Sequence, residues 1–397
     1  MKVRRCVQLF LEPREVVEFD LAGLFSGGAG ARHRLEWVAH APHLDAPVVL
    51  DDDMRIHLGT LSPERWVAVD ALADWPDGVL ARLLEHGLVL ADSGSAYVFV
   101  EADAKVRAGH WWGPAAMVHR AARWRGQDAA AATEAAGLSN AEGLRSKLGA
   151  PPPAVRERCT AEQRHALPLP ATDGAFDVLL QRRTTCRNFD PERMVSGEMF
   201  AAMMHRVFAA QASWQMDGDT VFLKKGSPSG GGLHPTEAYV IVQRVEGTAP
   251  GLYHYHPLEH ALEPLDPPAM ALADLARLVV AGQYWFADAP VIVVMAARFE
   301  RCFWKYRKHA KAYRAITMDA GHLSQTLYLS ATELGLGAFV TCAVNEIDIE
   351  QAFGLDPMTE GVMAVSGFGW RADTMETAEF DPQCRTWRAA ASAPAAG

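Results

Sequence analysis

The sequence has 397 residues, of which 49% are apolar and 22% are charged, and its formal net charge is −10. This length and composition predict a globular protein of two or three domains with a substantial hydrophobic core. The acidic balance disfavours non-specific nucleic-acid binding by the chain as a whole. The longest clear apolar run, PVIVVMAA at 290–297, is too short to span a membrane.

The cysteines and the N-terminus predict a cytoplasmic protein. The six cysteines are far apart and form no CxxC pair, so they indicate reduced thiols and neither a disulfide framework nor a zinc site. The apolar patch near the N-terminus is interrupted by Glu12, Pro13 and Arg14, which argues against a signal peptide.

Residues 1–125 have the pattern of a small winged-helix-like domain. SPERWVAVDALADW predicts a helix that begins at Ser62, and DGVLARLLEHGLVLAD predicts a second helix that ends at Gly87. SGSAYVFVEAD then predicts a turn and an alternating β-strand, which would form the wing. Three roles remain open: a dimer-stabilising appendage, a DNA-binding module, which the acidic segment LDDDM disfavours, and a docking site for a peptide.

A composition break follows this domain. Residues 126–172 are rich in Ala, Gly and Pro, with three consecutive prolines at 151–153, and they predict a linker or a loosely packed arm. At the other end of the chain, residues 389–397 predict a disordered tail.

Residues 173–388 predict an α+β domain in which long helices surround a few strands. Strands are expected over AYVIVQRV (238–245), GLYHYH (251–256) and APVIVVMAAR (289–298). Helices are expected over FDVLLQRR, SGEMFAAMMHRVFAAQ, MALADLARLVVAGQ and a long segment from Tyr313 to Leu334 with one apolar stripe. No GxGxxG motif follows a strand and no Walker-type loop is present, so neither a Rossmann nor a P-loop site is predicted.

The segment LQRRTTCRNFD at 180–190 places Arg182, Arg183 and Arg187 around two threonines. A guanidinium binds phosphate oxygens bidentately and a hydroxyl donates a further bond, so the pattern suits a phosphate. A solvated basic loop is the alternative, and the segment alone does not decide between them. Cys186 is interpreted as a small packing residue and not as a reactive thiol.

The segment KGSPSGGGLHPTEAYV at 225–240 feeds three consecutive glycines into a strand. Glycines let a backbone approach a flat or large ligand with its amides free to donate. Pro228 and Pro235 favour a fixed loop over a flexible hairpin. The nearby His254, His256 and His260 resemble a metal motif, but no third ligand is obviously placed on their strand and turn, so we predict no metal.

The segment FWKYRKHAKAYR at 303–314 is rich in aromatic and cationic residues, and seven Lys or Arg residues lie between Arg298 and Arg314. A lysine buried among rings and beside other cations is a usable base because its charged form is disfavoured. We therefore expect Lys305 to be buried and to act with Tyr306, which can relay a proton. A solvated basic face is the alternative.

In their order along residues 173–375, these segments resemble the nitroreductase superfamily of FMN enzymes, and within it the SagB-type dehydrogenases that oxidise azolines in ribosomal peptide natural products. The family's Arg-Arg-Ser-x-Arg-x-Phe motif corresponds to residues 183–189, with departures at the second Arg and at Ser. The resemblance implies FMN phosphate and ribityl contacts from Arg183, Thr184, Thr185 and Arg187. It implies that the loop of Ser229, Gly230, Gly231 and Gly232 lies against the flavin and that Arg371, in GFGWR, returns to the phosphate.

The resemblance also implies an activity and partners. SagB-type enzymes carry a Lys-Tyr pair beside the flavin, so Lys305 and Tyr306 are the predicted catalytic residues. The implied protein is a cytoplasmic homodimer that oxidises a thiazoline or oxazoline in a modified precursor peptide, with a cyclodehydratase partner and without nucleic acid or membrane. Two other functions remain open: a general NAD(P)H-dependent nitro- or quinone-type reductase, and a non-catalytic peptide-binding scaffold.

Overall fold

The computed structural model of the chain describes residues 1–94 and 97–387, and the predicted tail at 389–397 lies outside the described residues. The chain forms two compact units. The first contains Met1–Arg123, Phe299–Arg314 and Asp356–Glu360, and the second contains Trp124–Arg298, Ala315–Leu355 and the described residues from Gly361 on. No helix within the described ranges is both long enough and apolar enough to cross a membrane.

The first unit is built from two small antiparallel sheets and several short helices. Its strands are β1 (Lys2–Arg5), β2 (Phe10–Phe19), β3 (Ala31–His40), β4 (Val48–Leu50), β5 (Val67–Ala68) and β6 (Val89–Ala91). The strand orders are β5-β1-β6 and β2-β3-β4. Its helices are α1 (Leu21–Phe25), α2 (Asp52–Leu58), α3 (Val79–Glu85), α4 (Val98–Ala108), α5 (Gly113–Ala121) and, from later in the chain, α12 (Phe299–Phe303). Val3, Leu58 and Leu83 are fully buried in its core.

Two of the three elements predicted for the N-terminal segment are wrong. Helix α3 confirms the second predicted helix, but no helix begins at Ser62, because the chain there forms β5, which pairs with β1, and then a 3₁₀ turn over Val69–Leu72. The predicted wing strand is instead helix α4, for which Ser95 and Ala96 lie outside the described residues. Asp103 on α4 is buried and accepts hydrogen bonds from the Val7 amide at 2.6 Å and from Arg107 Nε at 2.5 Å. The tertiary bond to Val7 and the bond along the helix to Arg107 outweigh the local alternation that suggested a strand.

The second unit contains a six-stranded sheet with the order β11-β10-β9-β12-β14-β13. Its strands are β9 (Thr236–Val242), β10 (Gly251–His256), β11 (Ala261–Pro264), β12 (Val291–Arg298), β13 (Gly337–Thr341) and β14 (Glu360–Gly369), and a separate hairpin is formed by β7 (Ala212–Asp217) and β8 (Thr220–Lys224). The three strands predicted for this part of the sequence are confirmed.

Helices pack on both faces of this sheet. The helices of this unit are α6 (Ala129–Ala135), α7 (Ala141–Leu148), α8 (Ala175–Arg182), α9 (Gly197–Phe208), α10 (Leu272–Val279), α11 (Tyr284–Ala287), α13 (Ala312–Glu333) and α14 (Glu346–Phe353). Of these, α9, α10, α11, α13 and α14 contribute buried residues to the cores on the sheet. Alternate residues of β12 enter two different cores, one shared with α9 and α13 and the other with α10 and α14. The uninterrupted apolar run of β12 therefore reflects burial on both faces, and the predicted α+β fold is confirmed.

The predicted linker begins with a segment that is fixed to the second unit. The Gln127 amide donates to Asn345 Oδ1 at 2.8 Å, and Asn345 Nδ2 donates back to the Gln127 carbonyl at 3.0 Å. The Ala129 amide donates to the Ala281 carbonyl at 2.8 Å. Beyond these bonds the segment is mostly exposed and contains the short helices α6 and α7. The division of the chain into 1–125, 126–172 and 173–388 stays a prediction.

Candidate active site

Helix α13 presents two stripes of side chains to the rest of the second unit. Its apolar stripe includes Leu323, Leu327 and Ala331, which are buried in the core against the sheet. A second stripe follows the helical spacing of four, three and four residues. It consists of Ala315, Asp319, His322 and Thr326.

The glycine loop, residues 225–235, lies along this second stripe. The Ser227 hydroxyl lies 2.7 Å from the hydroxyl of Thr326. The Pro228 carbonyl oxygen lies 3.3 Å from Nδ1 of His322, one helical turn earlier. The loop therefore follows the helix in the opposite direction, and its predicted fixed geometry has a physical cause.

Asp319 holds the centre of the glycine loop. Its carboxylate accepts a hydrogen bond from the Ser229 hydroxyl at 2.5 Å and another from the Gly230 amide at 3.2 Å. The Ser229 hydroxyl in turn accepts from the His234 amide at 2.9 Å, which closes the loop on itself. Asp319 is only 5% exposed, and burial raises the pKa of its carboxyl. Sequence reasoning did not single out this residue, because the segment around it was interpreted as an apolar helix that resembles the central helix of the SagB-type family.

The glycines are required by the shape of this loop. Gly231 and Gly232 have φ values of 67° and 70°, a left-handed conformation that side chains other than glycine rarely adopt. A Cβ atom on Gly230 would lie 3.0 Å from the Cβ of Ala315, so the backbone is packed directly on α13. Substitution of any of the three would displace the loop or strain it.

Helix α13 also contacts the arginine-rich segment, which is residues 180–190. The Thr185 hydroxyl lies 3.0 Å from the Tyr328 hydroxyl, which accepts a hydrogen bond from the Val340 amide at 3.1 Å. The Arg183 guanidinium lies 5.3 Å from the centre of the Tyr328 ring, within the range of a cation–π contact. Burial raises the pKa of Tyr328, so its hydroxyl stays protonated and available as a donor.

Arg371 and Thr184 meet at a basic cavity of about 200 Å³. Arg371 Nη2 donates to Thr184 Oγ1 at 3.1 Å. The cavity is lined by Arg182, Thr184, Thr332, Gly335, Leu336, Arg371, Arg385 and Thr386. The Thr332 and Thr386 hydroxyls donate to the carbonyls of Tyr328 and Arg182. Three guanidiniums and the Thr184 hydroxyl, which accepts from Arg371 and can still donate, form a donor set that suits a phosphate.

Glu379 orients Arg371 beside this cavity. Its side chain is fully buried and forms an ion pair with Arg371 Nη1. The same carboxylate accepts from the Arg187 amide at 2.6 Å, from Asn188 Nδ2 at 2.8 Å and from the Trp387 indole at 2.8 Å. These three donors hold the Glu379 carboxylate in place. Its ion pair with Nη1 therefore fixes one edge of the Arg371 guanidinium, while Nη2 on the other edge faces Thr184. No sequence motif marks Glu379.

The predicted catalytic pair belongs to the first unit. Lys305 and Tyr306 follow helix α12 and precede α13, in a segment without regular structure. Lys305 is exposed and Tyr306 is half-buried, and Lys305 Nζ lies 5.5 Å from the centre of the Tyr306 ring. The expected burial of Lys305 is therefore wrong, because the buried residues of this stretch are the hydrophobic ones of α12, such as Phe303.

A buried histidine fixes the segment that carries this pair. His119 Nε2 lies 2.8 Å from the Pro357 carbonyl oxygen and its Nδ1 lies 3.1 Å from the Tyr313 hydroxyl. Its ring stacks on Trp111 with centroids 5.4 Å apart. Burial lowers the pKa of His119 to about 4, so the ring is neutral and donates to the carbonyl through Nε2–H. Sequence reasoning did not identify His119, which has no motif around it.

The sequence analysis predicted no metal at the histidine motif and no reactive thiol at Cys186, and the side chains described there make ordinary structural contacts. His254 Nδ1 lies 2.6 Å from Glu263 and Nε2 lies 3.5 Å from Glu237, while His260 Nδ1 lies 2.6 Å from the Tyr255 hydroxyl. Cys186 is fully buried, and burial raises the pKa of its thiol to about 12, which leaves it unreactive.

The structure thus brings together part of the predicted site. Through α13 it joins the arginine-rich segment to the glycine loop, and it joins Thr184 to Arg371 at the cavity. Arg183 and Thr185 contact Tyr328, and Arg187 Nη1 donates to the Ala378 carbonyl at 3.0 Å, so none of these three lines the cavity. Their roles as cofactor ligands stay predictions.

Comparison with known proteins shows the family. The Nitroreductase family model matches residues 180–370. The chain is 32% identical over 176 residues to the nitroreductase-family protein MJ1384 of Methanocaldococcus jannaschii, a match that covers 44% of this chain and 81% of that protein. The chain therefore belongs to the nitroreductase family, and its α+β fold and oxidoreductase class follow from that membership.

Two further relatives are named for peptide processing. The chain is 34% identical over 144 residues to the trifolitoxin-processing protein TfxB of Rhizobium leguminosarum bv. trifolii, which covers 36% of this chain and 38% of TfxB. It is 27% identical over 195 residues to the microcin B17-processing protein McbC of Escherichia coli, which covers 47% of this chain and 70% of McbC. The match to TfxB thus spans well under two thirds of that relative.

Proposed function

We propose that this chain is an FMN-dependent dehydrogenase that oxidises a thiazoline or oxazoline in a modified precursor peptide to the aromatic azole. Membership of the nitroreductase family supports a flavin oxidoreductase. Two relatives are named for the processing of trifolitoxin and microcin B17, which supports a peptide as the substrate class.

One observation carries the proposal: a single helix, α13, binds both segments predicted to hold the flavin. Asp319 fixes the glycine loop, and Tyr328 contacts Thr185 and Arg183 of the arginine-rich segment. A flexible hairpin and a solvated basic loop, the two alternative interpretations, would have no reason to share a supporting helix.

The residues fit FMN on the chemistry of their donors. The phosphate would bind in the basic cavity, where Arg182 and Arg371 offer charge-assisted hydrogen bonds and Thr184 offers a hydroxyl. The backbone of Gly230–Gly232 has no side chains and would let a flat ring approach. When bound, the flavin supplies the electron chemistry by accepting a hydride from the substrate.

Lys305 and Tyr306 are the proposed proton acceptors. In the proposed reaction Lys305 or Tyr306 removes a proton from the azoline ring carbon, and the Tyr306 hydroxyl can pass that proton onward. Because Lys305 is exposed in the free chain, we propose that the bound peptide covers it and excludes water.

The proposed partners follow from exposed surfaces. Trp214 and Met216 on β7 are 64% and 55% exposed, and Phe176 on α8 is 63% exposed, so the second unit offers apolar area to a second copy in a homodimer. The azoline substrate requires a cyclodehydratase to form the ring before oxidation. We place these reactions in the cytoplasm, as the spaced free cysteines suggest.

The first unit is the proposed docking site for the unmodified part of the peptide. The segment predicted to form its wing is helix α4. Strand β6 lies at the edge of its sheet, beside a cavity of about 480 Å³ lined in part by Leu84, Ala91 and Phe99. An extended peptide can place apolar side chains in this cavity, but it cannot add a strand to β6 itself, because Val89, Leu90 and Ala91 are at most 1% exposed.

The proposal is tested by incubating the purified chain with an azoline-containing peptide and following the peptide mass. We expect the loss of two hydrogen atoms per ring in the wild type and almost none in Lys305→Ala. Rapid flavin reduction by NADPH without peptide oxidation would instead identify a general reductase. Peptide binding by a chain that takes up no flavin would identify a scaffold.

A further inference from the structure

Lys225, the first residue of the glycine loop, is buried in a fixed position. It is only 3% exposed. The backbone is held before it, where the Lys224 carbonyl accepts from the Gln211 amide at 2.6 Å, and after it, where Gly226 packs on the Arg206 carbonyl. A Cβ on Gly226 would lie 2.9 Å from that carbonyl oxygen, so the chain cannot easily shift to release the lysine to solvent.

The Lys225 ammonium forms no hydrogen bond and no ion pair with any residue in the described ranges 1–94 and 97–387, and its Nζ is not among the fully buried polar atoms of those ranges that lack a partner, so it reaches open space. Burial of a cation without a partner is costly, and natural proteins seldom keep such a group without a use for it. Burial lowers the pKa of Lys225, while the charge of Glu237 opposes this.

Glu237 does not explain Lys225, because it has closer partners of its own. Its carboxylate lies 3.3 Å from Arg298 Nη1 and 3.5 Å from His254 Nε2, and His254 Nδ1 lies 2.6 Å from Glu263. The hydrogen bond to Glu237 raises the pKa of His254, which favours its cationic form. Positive and negative groups therefore alternate across four adjacent strands, and Lys225 acts on Glu237 through its charge without a hydrogen bond.

Lys225 is thus left without a hydrogen-bonded counterion at the base of the glycine loop, and Glu237 acts on it only through its charge. We propose that Lys225 faces the redox-active ring of the cofactor that this loop holds, and that its charge makes the cofactor easier to reduce. This inference rests on the proposed FMN function. Addition of a hydride to the neutral oxidised ring leaves it with a negative charge, which a buried ammonium stabilises and which supplies the acceptor that Lys225 lacks.

The test compares Lys225→Met with Lys225→Arg and with Lys224→Met, an adjacent control at an exposed lysine. The midpoint potential of the bound flavin is measured by reductive titration against a reference dye. In Lys225→Met we expect reduced flavin to lose about tenfold more affinity than oxidised flavin, which lowers the potential by about 30 mV for a two-electron couple. Lys224→Met should keep the wild-type potential, and the potential of Lys225→Arg should lie closer to that of the wild type than to that of Lys225→Met.

The thermal stability of the apoprotein provides a second readout. Methionine fills the space of the lysine without a charge, so we expect apo Lys225→Met to be at least as stable as the wild-type apoprotein. Equal weakening of oxidised and reduced flavin, or an unchanged potential, would overturn the inference while FMN binding stands. A lower apoprotein stability with an unchanged potential would make Lys225 a structural partner of Glu237. A wild-type chain that binds no FMN would contradict the proposed function itself.

Discussion

Replacement of His119 by glutamine tests how the first unit fixes the segment that carries Lys305 and Tyr306. Glutamine can donate to the Pro357 carbonyl and accept from the Tyr313 hydroxyl, as His119 does, but it does not titrate. The variant therefore keeps the hydrogen bonds and removes only the response to pH.

The magnitude follows from the pKa of His119, which burial lowers from the ordinary 6.5 to about 4. Between these values the unfolded chain binds a proton that the folded chain excludes, so stability falls as pH decreases through this window. Each pKa unit is worth about 1.4 kcal/mol, so the loss amounts to about 3 kcal/mol between neutral pH and pH 4. Above pH 6.5 the ring is neutral in both states and contributes no pH dependence.

The assay is urea unfolding of the first unit, monitored by tryptophan fluorescence at a series of pH values from 7.5 down to 4.5. We expect the wild type to lose stability relative to His119→Gln as the pH falls, and the exposed His86→Gln to behave like the wild type. Parallel curves for the wild type and His119→Gln would refute the reasoning, because His119 would then titrate alike in the folded and unfolded chain.

Three predictions concern the active site. Asp319→Asn weakens the bonds to the glycine loop, each worth about 1–2 kcal/mol, so we expect flavin affinity to fall about tenfold in a fluorescence titration. A variant with wild-type affinity would show that the loop keeps its shape without Asp319. Arg182→Ala should lower that affinity more than Arg187→Ala, since only Arg182 lines the basic cavity, and the reverse order would move the phosphate elsewhere. Lys305→Ala should keep the flavin but lose about 10²–10⁴-fold in turnover, whereas Lys308→Ala should lose far less turnover. Equal, modest losses of turnover in both variants would identify a basic surface instead of a catalytic pair.

The sequence predicted the second unit well because its elements depend on local pattern. The apolar run of β12 and the apolar stripe of α13 are long and regular, and each is buried as its periodicity indicates. The predictions at residues 62–75 and 93–103 failed because short segments were assigned from local signals, a helix start at Ser62 in the first and alternation in the second. There the pairing of β5 with β1 and the buried carboxylate of Asp103 decide the conformation.

The candidate site was predictable only where motif residues carry it. The glycine loop and the Thr184–Arg371 pair have residue types that indicate an anion or a flat ligand. Asp319 and Glu379 support these residues through contacts between segments that are far apart in the chain, and no local pattern marks such partners. The exposure of Lys305 was missed for a related reason, since a cluster of rings and cations does not show which of its members the fold buries.

The most direct test of the proposed function is anaerobic mixing of the oxidised, flavin-loaded chain with an azoline-containing peptide, with no pyridine nucleotide present. The absorbance of the oxidised flavin is followed in a stopped-flow instrument. The proposed dehydrogenase bleaches its flavin in one turnover, in step with formation of one azole per flavin, and Lys305→Ala remains oxidised. A flavin that stays oxidised with peptide in the wild type, yet bleaches rapidly when NADPH is added, would contradict the proposed function.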